Sequence, residues 1–269
     1  MAEKILYVSD LDGTLLTSEQ TLSEYTAKTV NSLSEQGLMF SYATARSYAT
    51  SSIVASGLCG SLPVIVYNGT FILENGSKKR LLENYFSHGE ASEILDVLHE
   101  NGVHPIVYAY INGEEKFSYV PHESTEGFLN IRRGDGRDNP TDACNLLCGE
   151  VFHFSCIDLP ERLYPAYEKL SQKYPCVYYK EQYSGDMWLE IHPIGATKAN
   201  AVVRLKEMLG CDKVVCFGDG KNDIPMFMAS EECYAMANAS DELKSIATAV
   251  IDSNDNDGVA KWLADNAKV

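Results

Sequence analysis

The sequence contains no apolar run close to the roughly 20 residues that a membrane-spanning helix requires. Its first ten residues, MAEKILYVSD, hold one lysine and pass directly into an apolar stretch. They leave no room for the apolar segment and cleavage site of a signal peptide. We therefore expect a cytoplasmic protein whose eight cysteines are reduced thiols.

Positive charge is also scarce. The 269 residues include 22 Lys and Arg against 38 Asp and Glu, which gives a formal net charge of -16. Such a surface repels nucleic acid and anionic membranes, so we expect neither as a partner, and no segment indicates an obligate protein partner. An anionic substrate would be repelled too, unless a bound cation or local basic residues reverse the field at its site.

The cysteines lack the C-x₂-C pairs that are typical of zinc sites. Cys144, Cys148, His153 and Cys156 lie close together in the sequence, but at other spacings. Because buried thiols are the commoner use of such cysteines, we do not predict a zinc site.

What the chain does contain is a repeated design, in which a short apolar run ends in small or polar residues. The four clearest runs are 5–8, 38–42, 64–67 and 214–217, and two later ones are 233–237 and 247–251. Runs without strict alternation are typical of parallel strands that are covered on both faces. Predicted helices separate the first three, one from a Ser23 cap to Gly37 and one from Ser47 to Gly57. Right-handed crossovers would bring the strand ends to one edge, where ligands bind in open α/β sheets.

The middle of the chain has a different pattern. We predict a helix that ends at Asn101-Gly102, a hairpin around Asn112-Gly113, a helix over 163–174, and a hairpin at Ser184-Gly185. This α+β pattern interrupts an α/β chain. The sequence therefore predicts a discontinuous core, residues 1–83 and 190–269, with an inserted second domain over 84–189.

Polar side chains collect at the predicted sheet edge: Asp10, Asp12, Thr44, Asn68, Lys198, Asp219, Asn222 and Asp223. Four carboxylates in one crevice could not all stay ionised without a cation, and oxygen ligands favour Mg²⁺. Lys198 lies in the first turn of a predicted helix, where a cation opposes the helix dipole. Its position makes sense if it contacts an anion, so the edge is expected to hold both Mg²⁺ and a phosphate group.

Four segments, DLDGT, ATAR, GATKANAV and GDGKND, resemble in order the motifs of the haloacid dehalogenase superfamily. The chain is most similar to its Cof-type phosphatases, the type IIB group with a C2 cap, and the resemblance covers essentially all of it. It implies a Rossmann-like parallel sheet core with an inserted α+β cap that closes over the leaving group and sets specificity.

The resemblance also implies a role for each motif residue. Asp10 would be the nucleophile and Asp12 the general acid and base. Mg²⁺ would be held by Asp10, the Asp12 carbonyl and Asp219, with support from Asp223. The phosphoryl oxygens would be held by Thr44, the Ala45 amide, Lys198 and Asn222, and substrate contacts are possible for Arg46 and Asn68. The Asn68-Gly69 pair is equally suited to forming a tight turn after a strand, and Arg46 could instead pair with a carboxylate. The family commonly has glycine where this chain has Ala45, and we expect Ala45 to open a helix, where alanine is unstrained.

The implied function is a Mg²⁺-dependent phosphatase of small phosphorylated metabolites, with sugar phosphates as the leading class and an aspartyl-phosphate intermediate. Two alternatives stay open at this point: a phosphomutase of the phosphomannomutase type, and a non-catalytic phosphate-binding sensor on the same fold. A sensor could dispense with an acid and base, so the presence of Asp12 and Lys198 counts against it.

Overall fold

The structure is a computed structural model that describes residues 3–180 and 185–268. By internal contacts the chain divides into two compact units, one formed by Met1–Glu83 with Ala196–Val269 and the other by Asn84–Gly195. Within the described residues, none of the helices combines the length and the apolar character needed to cross a membrane.

The first unit opens with a strand, then a tight turn over Leu11–Leu15 that is closed by a hydrogen bond from the Leu16 amide to the Leu11 carbonyl oxygen (2.9 Å), and then alternating helices and strands. In chain order these are β1 (Ile5–Ser9), α1 (Glu24–Glu35), β2 (Met39–Tyr42), α2 (Tyr48–Val54), β3 (Val64–Val66), β4 (Phe71–Leu73) and β5 (Arg80–Glu83).

The second unit follows directly in the chain. Its elements are α3 (His88–Glu100), β6 (Ile106–Ile111), β7 (Glu114–Tyr119), α4 (Glu126–Ile131), β8 (Asp138–Pro140), β9 (Glu150–Asp158), α5 (Pro160–Leu170), β10 (Cys176–Lys180) and β11 (Met187–Ile191). They form a six-stranded sheet in the order β10-β11-β9-β6-β7-β8, antiparallel except between β7 and β8. Its core includes Ile94, Leu98, Phe154, Leu163 and Leu189, all essentially buried.

The chain then returns to the first unit. The remaining elements are α6 (Lys198–Leu209), β12 (Lys213–Gly218), α7 (Ile224–Met228), β13 (Glu232–Met236), α8 (Asp241–Ile246), β14 (Ala249–Ile251) and α9 (Gly258–Asn266). The main sheet has the order β14-β13-β12-β1-β2, and every pair in it is parallel. Strands β3, β4 and β5 form a small antiparallel sheet, which a parallel bridge between Ala43 and Ile65 links to the end of β2.

Side-chain caps fix where several helices begin. Ser23 accepts a hydrogen bond from the Thr26 amide before α1, and Thr197 accepts one from Asn200 before α6. Each cap satisfies an amide that has no partner within the helix. The start of α6 matters most, because it places Lys198 in the first turn.

The predicted parallel α/β core is confirmed, including the strands near 233–237 and 247–251. The hairpin at Asn112-Gly113 is also present, and both residues have positive φ as a tight turn requires. Of the predicted turn at Ser184-Gly185, Ser184 lies outside the described residues. Short elements without a periodic pattern were not predicted: β4, β5, α4 and β8.

The second unit extends further than the expected 84–189. Strand β11 pairs with β9 and β10 through Ile191, and the contact division falls between Gly195 and Ala196. The expected boundary at Leu189 falls inside β11, although the alternation of Met187, Leu189 and Ile191 continues to the end of that strand. Within the second unit, Cys144 and Cys148 are exposed, whereas His153 and Cys156 are buried.

Gly69 tests how tightly the turn after β3 packs on the start of α6. Gly69 and Gly76 both have positive φ, +99° and +94°, but a Cβ on Gly69 would lie 2.2 Å from the Thr197 carbonyl oxygen, whereas one on Gly76 would meet nothing within 4 Å. We expect Gly76→Ala to lower the free energy of unfolding by about 1–2 kcal/mol through backbone strain alone. Gly69→Ala should lower it by about 2 kcal/mol more, measured by urea denaturation. Equal losses would contradict the close packing.

Candidate active site

Asp10 follows β1 directly and lies at the carboxyl edge of the main sheet. Its amide donates to the Phe217 carbonyl oxygen on β12 (3.0 Å), and only 5% of the residue is exposed. The adjacent parallel strand therefore sets the position of Asp10 next to the loop that begins at Asp219. Asp219 follows that strand in the same way that Asp10 follows β1.

The turn after Asp10 packs directly against Asp219. Gly13 has a φ of +70°, and a Cβ there would lie 2.3 Å from Asp219 Oδ2. Thr14 donates its hydroxyl to Asp219 Oδ1 (3.0 Å). Glycine is thus required at position 13 both by its backbone conformation and by the lack of space.

Lys198 is the first residue of α6, and it is 2% exposed. Its ammonium lies 2.8 Å from Asp10 Oδ1 and donates to Asp223 Oδ1 at 2.7 Å. Burial disfavours the charge, but the two carboxylates outweigh it and raise the pKa of Lys198 above its usual value. The lysine is therefore a buried cation. Its position at the start of a helix predicted contact with an anion, and the carboxylates of Asp10 and Asp223 provide that contact.

Asp223 is fully buried and holds the loop after β12 as well as the lysine. Its Oδ2 accepts hydrogen bonds from the amides of Asp219 (3.1 Å) and Gly220 (3.0 Å). One carboxylate thus links the start of α6 to the backbone that carries Asp219.

Three carboxylates, those of Asp10, Asp219 and Asp223, each offer an oxygen within 4.8 Å of the others. In the part of the chain that the structure describes, this is the one group of His, Cys, Asp or Glu side chains suited to a metal ion. Burial, with a smaller contribution from Asp223, raises the pKa of Asp219 to about 6. Burial likewise raises the pKa of Asp10, against the opposing effect of Lys198. One ammonium faces three carboxylates, so the residues fit a hard divalent cation that would supply the missing positive charge.

Arg46 pairs with Asp12. Its Nε donates to Asp12 Oδ2 (2.7 Å), its second terminal nitrogen donates to Asp12 Oδ1 (2.5 Å), and the same nitrogen donates to Gln20 Oε1 (2.6 Å). A bidentate guanidinium–carboxylate pair holds a carboxylate in one plane and direction. Of the two roles that the sequence left open for Arg46, pairing with a carboxylate is the one seen in the structure.

Thr44 is completely buried at the end of β2, and its hydroxyl accepts a hydrogen bond from the Arg46 amide (3.1 Å). Ala45 is exposed and its φ is not positive, so alanine is unstrained there. It does not open a helix, however, because α2 begins three residues later after a Ser47 cap.

Asn222 lies in the short turn after Asp219, against Gly220.

Asn68 combines turn geometry with an unusual polar atom. Its φ is +53°, and its amide donates to the Thr44 carbonyl oxygen (2.9 Å). Its Oδ1 atom is buried and has no hydrogen-bond partner among the described residues. The left-handed backbone explains why asparagine is suitable here. Its buried oxygen remains available to accept a hydrogen bond from a ligand.

Two contacts of this site were not predicted. Gln20 has no motif around it, and Thr14, although part of the DLDGT segment, gave no sign that it would contact Asp219. Both contacts depend on the path of the turn after β1, which the sequence pattern does not describe.

The fold and this cluster define the class: an α/β enzyme with its polar site at the carboxyl ends of a parallel sheet. A sequence profile of haloacid dehalogenase-like hydrolases matches residues 7–263. The chain therefore belongs to the haloacid dehalogenase-like hydrolases, in the Cof-type group.

Relatives and solved structures agree with that family. The chain is 27% identical, over 96% of each chain, to the 5-amino-6-(5-phospho-D-ribitylamino)uracil phosphatase YitU of Bacillus subtilis. It is 25% identical to the pyridoxal phosphate phosphatase YbhA of Escherichia coli, over 94% of this chain and 95% of that one. The fold matches the crystal structure of TM0651 from Thermotoga maritima with a TM-score of 0.80 and 24% identity, covering 100% of this chain and 99% of the other.

Replacement of Lys198 tests whether its ammonium holds the cluster together. Lys198→Met leaves Asp10 and Asp223 buried without their cation, so we expect the free energy of unfolding to fall by about 3 kcal/mol at pH 7.5 with chelator present. Removal of the lysine takes away the effect that lowers the pKa of Asp10 against its burial, so that pKa rises further in the folded state and the stability loss should shrink as the pH falls. Lys221→Met is the matched control, because that lysine is 78% exposed in its pair with Glu242. Similar losses in both variants would contradict the account.

Proposed function

We propose that the chain is a Mg²⁺-dependent phosphatase of small phosphate monoesters, with Asp10 as its nucleophile. The observation that carries this proposal is the buried cluster in which Asp10 lies 2.8 Å from the Lys198 ammonium and beside Asp219 and Asp223. A carboxylate with a fixed cation next to it, in a site short of positive charge, suits attack on an anionic phosphorus centre.

In the first step, a carboxylate oxygen of Asp10 forms a bond to phosphorus while the bond to the ester oxygen breaks. Asp12, with one oxygen released from its pair with Arg46 to carry a proton, gives that proton to the leaving oxygen, and the alcohol departs. Asp12 then removes a proton from water as the water oxygen attacks phosphorus, and the bond from Asp10 to phosphorus breaks. Inorganic phosphate is released, and both aspartates return to their starting states.

The metal site would use residues that already lie together. Asp10, Asp219 and the main-chain carbonyl of Asp12 would hold Mg²⁺, and Asp223 would support them through its hydrogen bonds to the loop. When bound, the ion would neutralise charge on the phosphoryl oxygens. Lys198, the Thr44 hydroxyl, the Ala45 amide and Asn222 would hold the phosphoryl oxygens, because each can donate to an anion.

For the substrate we propose a small phosphorylated metabolite, with sugar phosphates as the leading class. Two relatives are named for phosphate esters of small molecules, a ribitylaminouracil and pyridoxal. The inserted second unit, Asn84–Gly195, would determine which ester is used. The cytoplasmic location expected from the sequence stays part of this proposal.

Loss of the nucleophile is the direct test of the function. With Mg²⁺ and a panel of phosphate esters (glucose 6-phosphate, ribose 5-phosphate and pyridoxal 5′-phosphate), wild type should release inorganic phosphate. Asp10→Asn should lower kcat by at least ~1,000-fold, because the amide is a far weaker nucleophile. Asp265→Asn, an exposed change on α9, is the control that should match wild type. Metal-dependent release that persisted in Asp10→Asn would overturn the mechanism.

The same panel separates the two alternatives. A phosphomutase would convert glucose 6-phosphate to an isomeric phosphate without free phosphate, because its phosphorylated aspartate must be protected from water. A sensor would bind phosphate with Mg²⁺ and turn over no ester. Release of inorganic phosphate favours the phosphatase over both.

Arg46 should act on turnover through Asp12. Arg46→Lys keeps the charge but loses the bidentate contact, so we expect kcat to fall by roughly 10-fold while KM changes by less than about threefold. Arg204→Lys is the control, since Arg204 forms an exposed pair with Glu207. A rise in KM at constant kcat would instead make Arg46 a substrate-binding residue.

A further inference from the structure

The segment SNDNDG, residues 253–258, lies near the end of the chain, yet its side chains bind the loop that follows β1. We propose that Asn254 and its partner Asn238 are positioning residues, which hold the backbone of the loop that carries Asp10 and Asp12. This inference rests on the proposed function for its effect on turnover, but not for its structural part.

The loop needs restraint from outside because of its own glycine. Gly13 is required there, since a Cβ would collide with Asp219. Glycine also has the widest freedom in φ and ψ, so the peptide groups on either side of it rotate more easily than any others in the loop. Asp12 lies immediately before this glycine, and the directions of its carbonyl and carboxylate depend on those rotations.

The two asparagines bind the carbonyl oxygens of this loop. Asn238 donates from Nδ2 to the Gly13 carbonyl oxygen (2.8 Å), and Asn254 donates from Nδ2 to the Leu16 carbonyl oxygen (3.0 Å). The Asn254 amide donates in turn to Asn238 Oδ1 (3.1 Å). The result is a continuous hydrogen-bonded connection from Gly13 through both asparagines to Leu16. The peptide after Gly13, in the middle of the turn over Leu11–Leu15, and the Leu16 carbonyl just after that turn are therefore both fixed.

Burial and a second set of contacts support this connection. Asn254 is only 4% exposed, so an unpaired amide there would be strongly unfavourable. Asp255 accepts hydrogen bonds from the amide (2.7 Å) and the hydroxyl (2.8 Å) of Ser18. Asp257, at a φ of +55°, accepts hydrogen bonds from the hydroxyls of Ser23 and Thr26, the latter at 2.9 Å. The turn over 253–258 thus holds the chain from Leu16 to the first turn of α1.

Asparagine suits this task for a chemical reason. Its side-chain amide has both a donor and an acceptor, so Asn238 can donate to Gly13 while it accepts from Asn254. It is also neutral, so it adds no further charge beside a carboxylate cluster that already lacks positive charge. Aspartate in either position would place an acceptor against a carbonyl oxygen.

The experiment compares Asn238→Ala and Asn254→Ala with Asn256→Ala. Asn256 is in the same turn, but it is exposed and donates to Asp252 instead of to the loop. With p-nitrophenyl phosphate at saturating Mg²⁺, we expect kcat to fall roughly 10- to 100-fold in the first two variants, with KM within about threefold of wild type. Asn256→Ala should match wild type. Asn238 is exposed, so its variant keeps the test valid even if Asn254→Ala folds poorly.

Hydrogen exchange of the metal-free proteins gives a readout that does not depend on turnover. Amides of residues 11–18 should exchange faster in the first two variants, while those of β1 and β12 keep wild-type rates. Wild-type kcat in Asn238→Ala, or unchanged exchange over 11–18, would overturn the inference. If wild type hydrolyses no ester, the proposed function fails, and the exchange result alone then decides whether the two asparagines restrain the loop.

Discussion

The site depends on one buried ammonium group. Lys198 contacts Asp10 and Asp223 at 2.8 and 2.7 Å, and all three side chains are nearly inaccessible to water. Without it, carboxylates from two strand ends would face each other in a medium that screens charge poorly. The ammonium makes this arrangement tolerable and leaves a net negative charge, which in turn favours a divalent cation. The Thr197 cap fixes the start of α6, and this places the Lys198 ammonium among the carboxylates.

A second constraint acts on the turn between Asp10 and α1. Close approach to Asp219 excludes any side chain at Gly13. The same glycine lets the neighbouring peptide groups rotate freely, although the carbonyl and carboxylate of Asp12 depend on their orientation. The structure meets both demands by distributing the restraint: Thr14 binds Asp219, Arg46 binds the Asp12 carboxylate, and Asn238 binds the Gly13 carbonyl oxygen. Residues far apart in the sequence thus restrain the same turn, so side chains near the end of the chain hold a loop near its beginning.

The sequence predicted the sheet edge well and the contacts within it less well. Short apolar runs that end in Asp10 and Asp219 predict parallel strands, and the placement of Lys198 against the helix dipole pointed to an anion. Those inferences use periodicity and charge within short segments, and such signals do not depend on the path of the loops. The Asn238 and Asn254 contacts depend on loop paths that no periodicity encodes. Helix α4 was missed for the same reason, because tertiary contacts decide it.

Transfer of the phosphoryl group to Asp10 is measured most directly by acid quench of the enzyme during turnover of a ³²P-labelled phosphate ester with Mg²⁺. Labelled phosphorus should appear on the peptide that contains Asp10. More label should appear in Asp12→Asn, because removal of the base slows hydrolysis of the intermediate more than its formation from an ester with a good leaving group. No label should appear in Asp10→Asn. Label on a different residue, or rapid turnover with no labelled protein in either wild type or Asp12→Asn, would contradict the account.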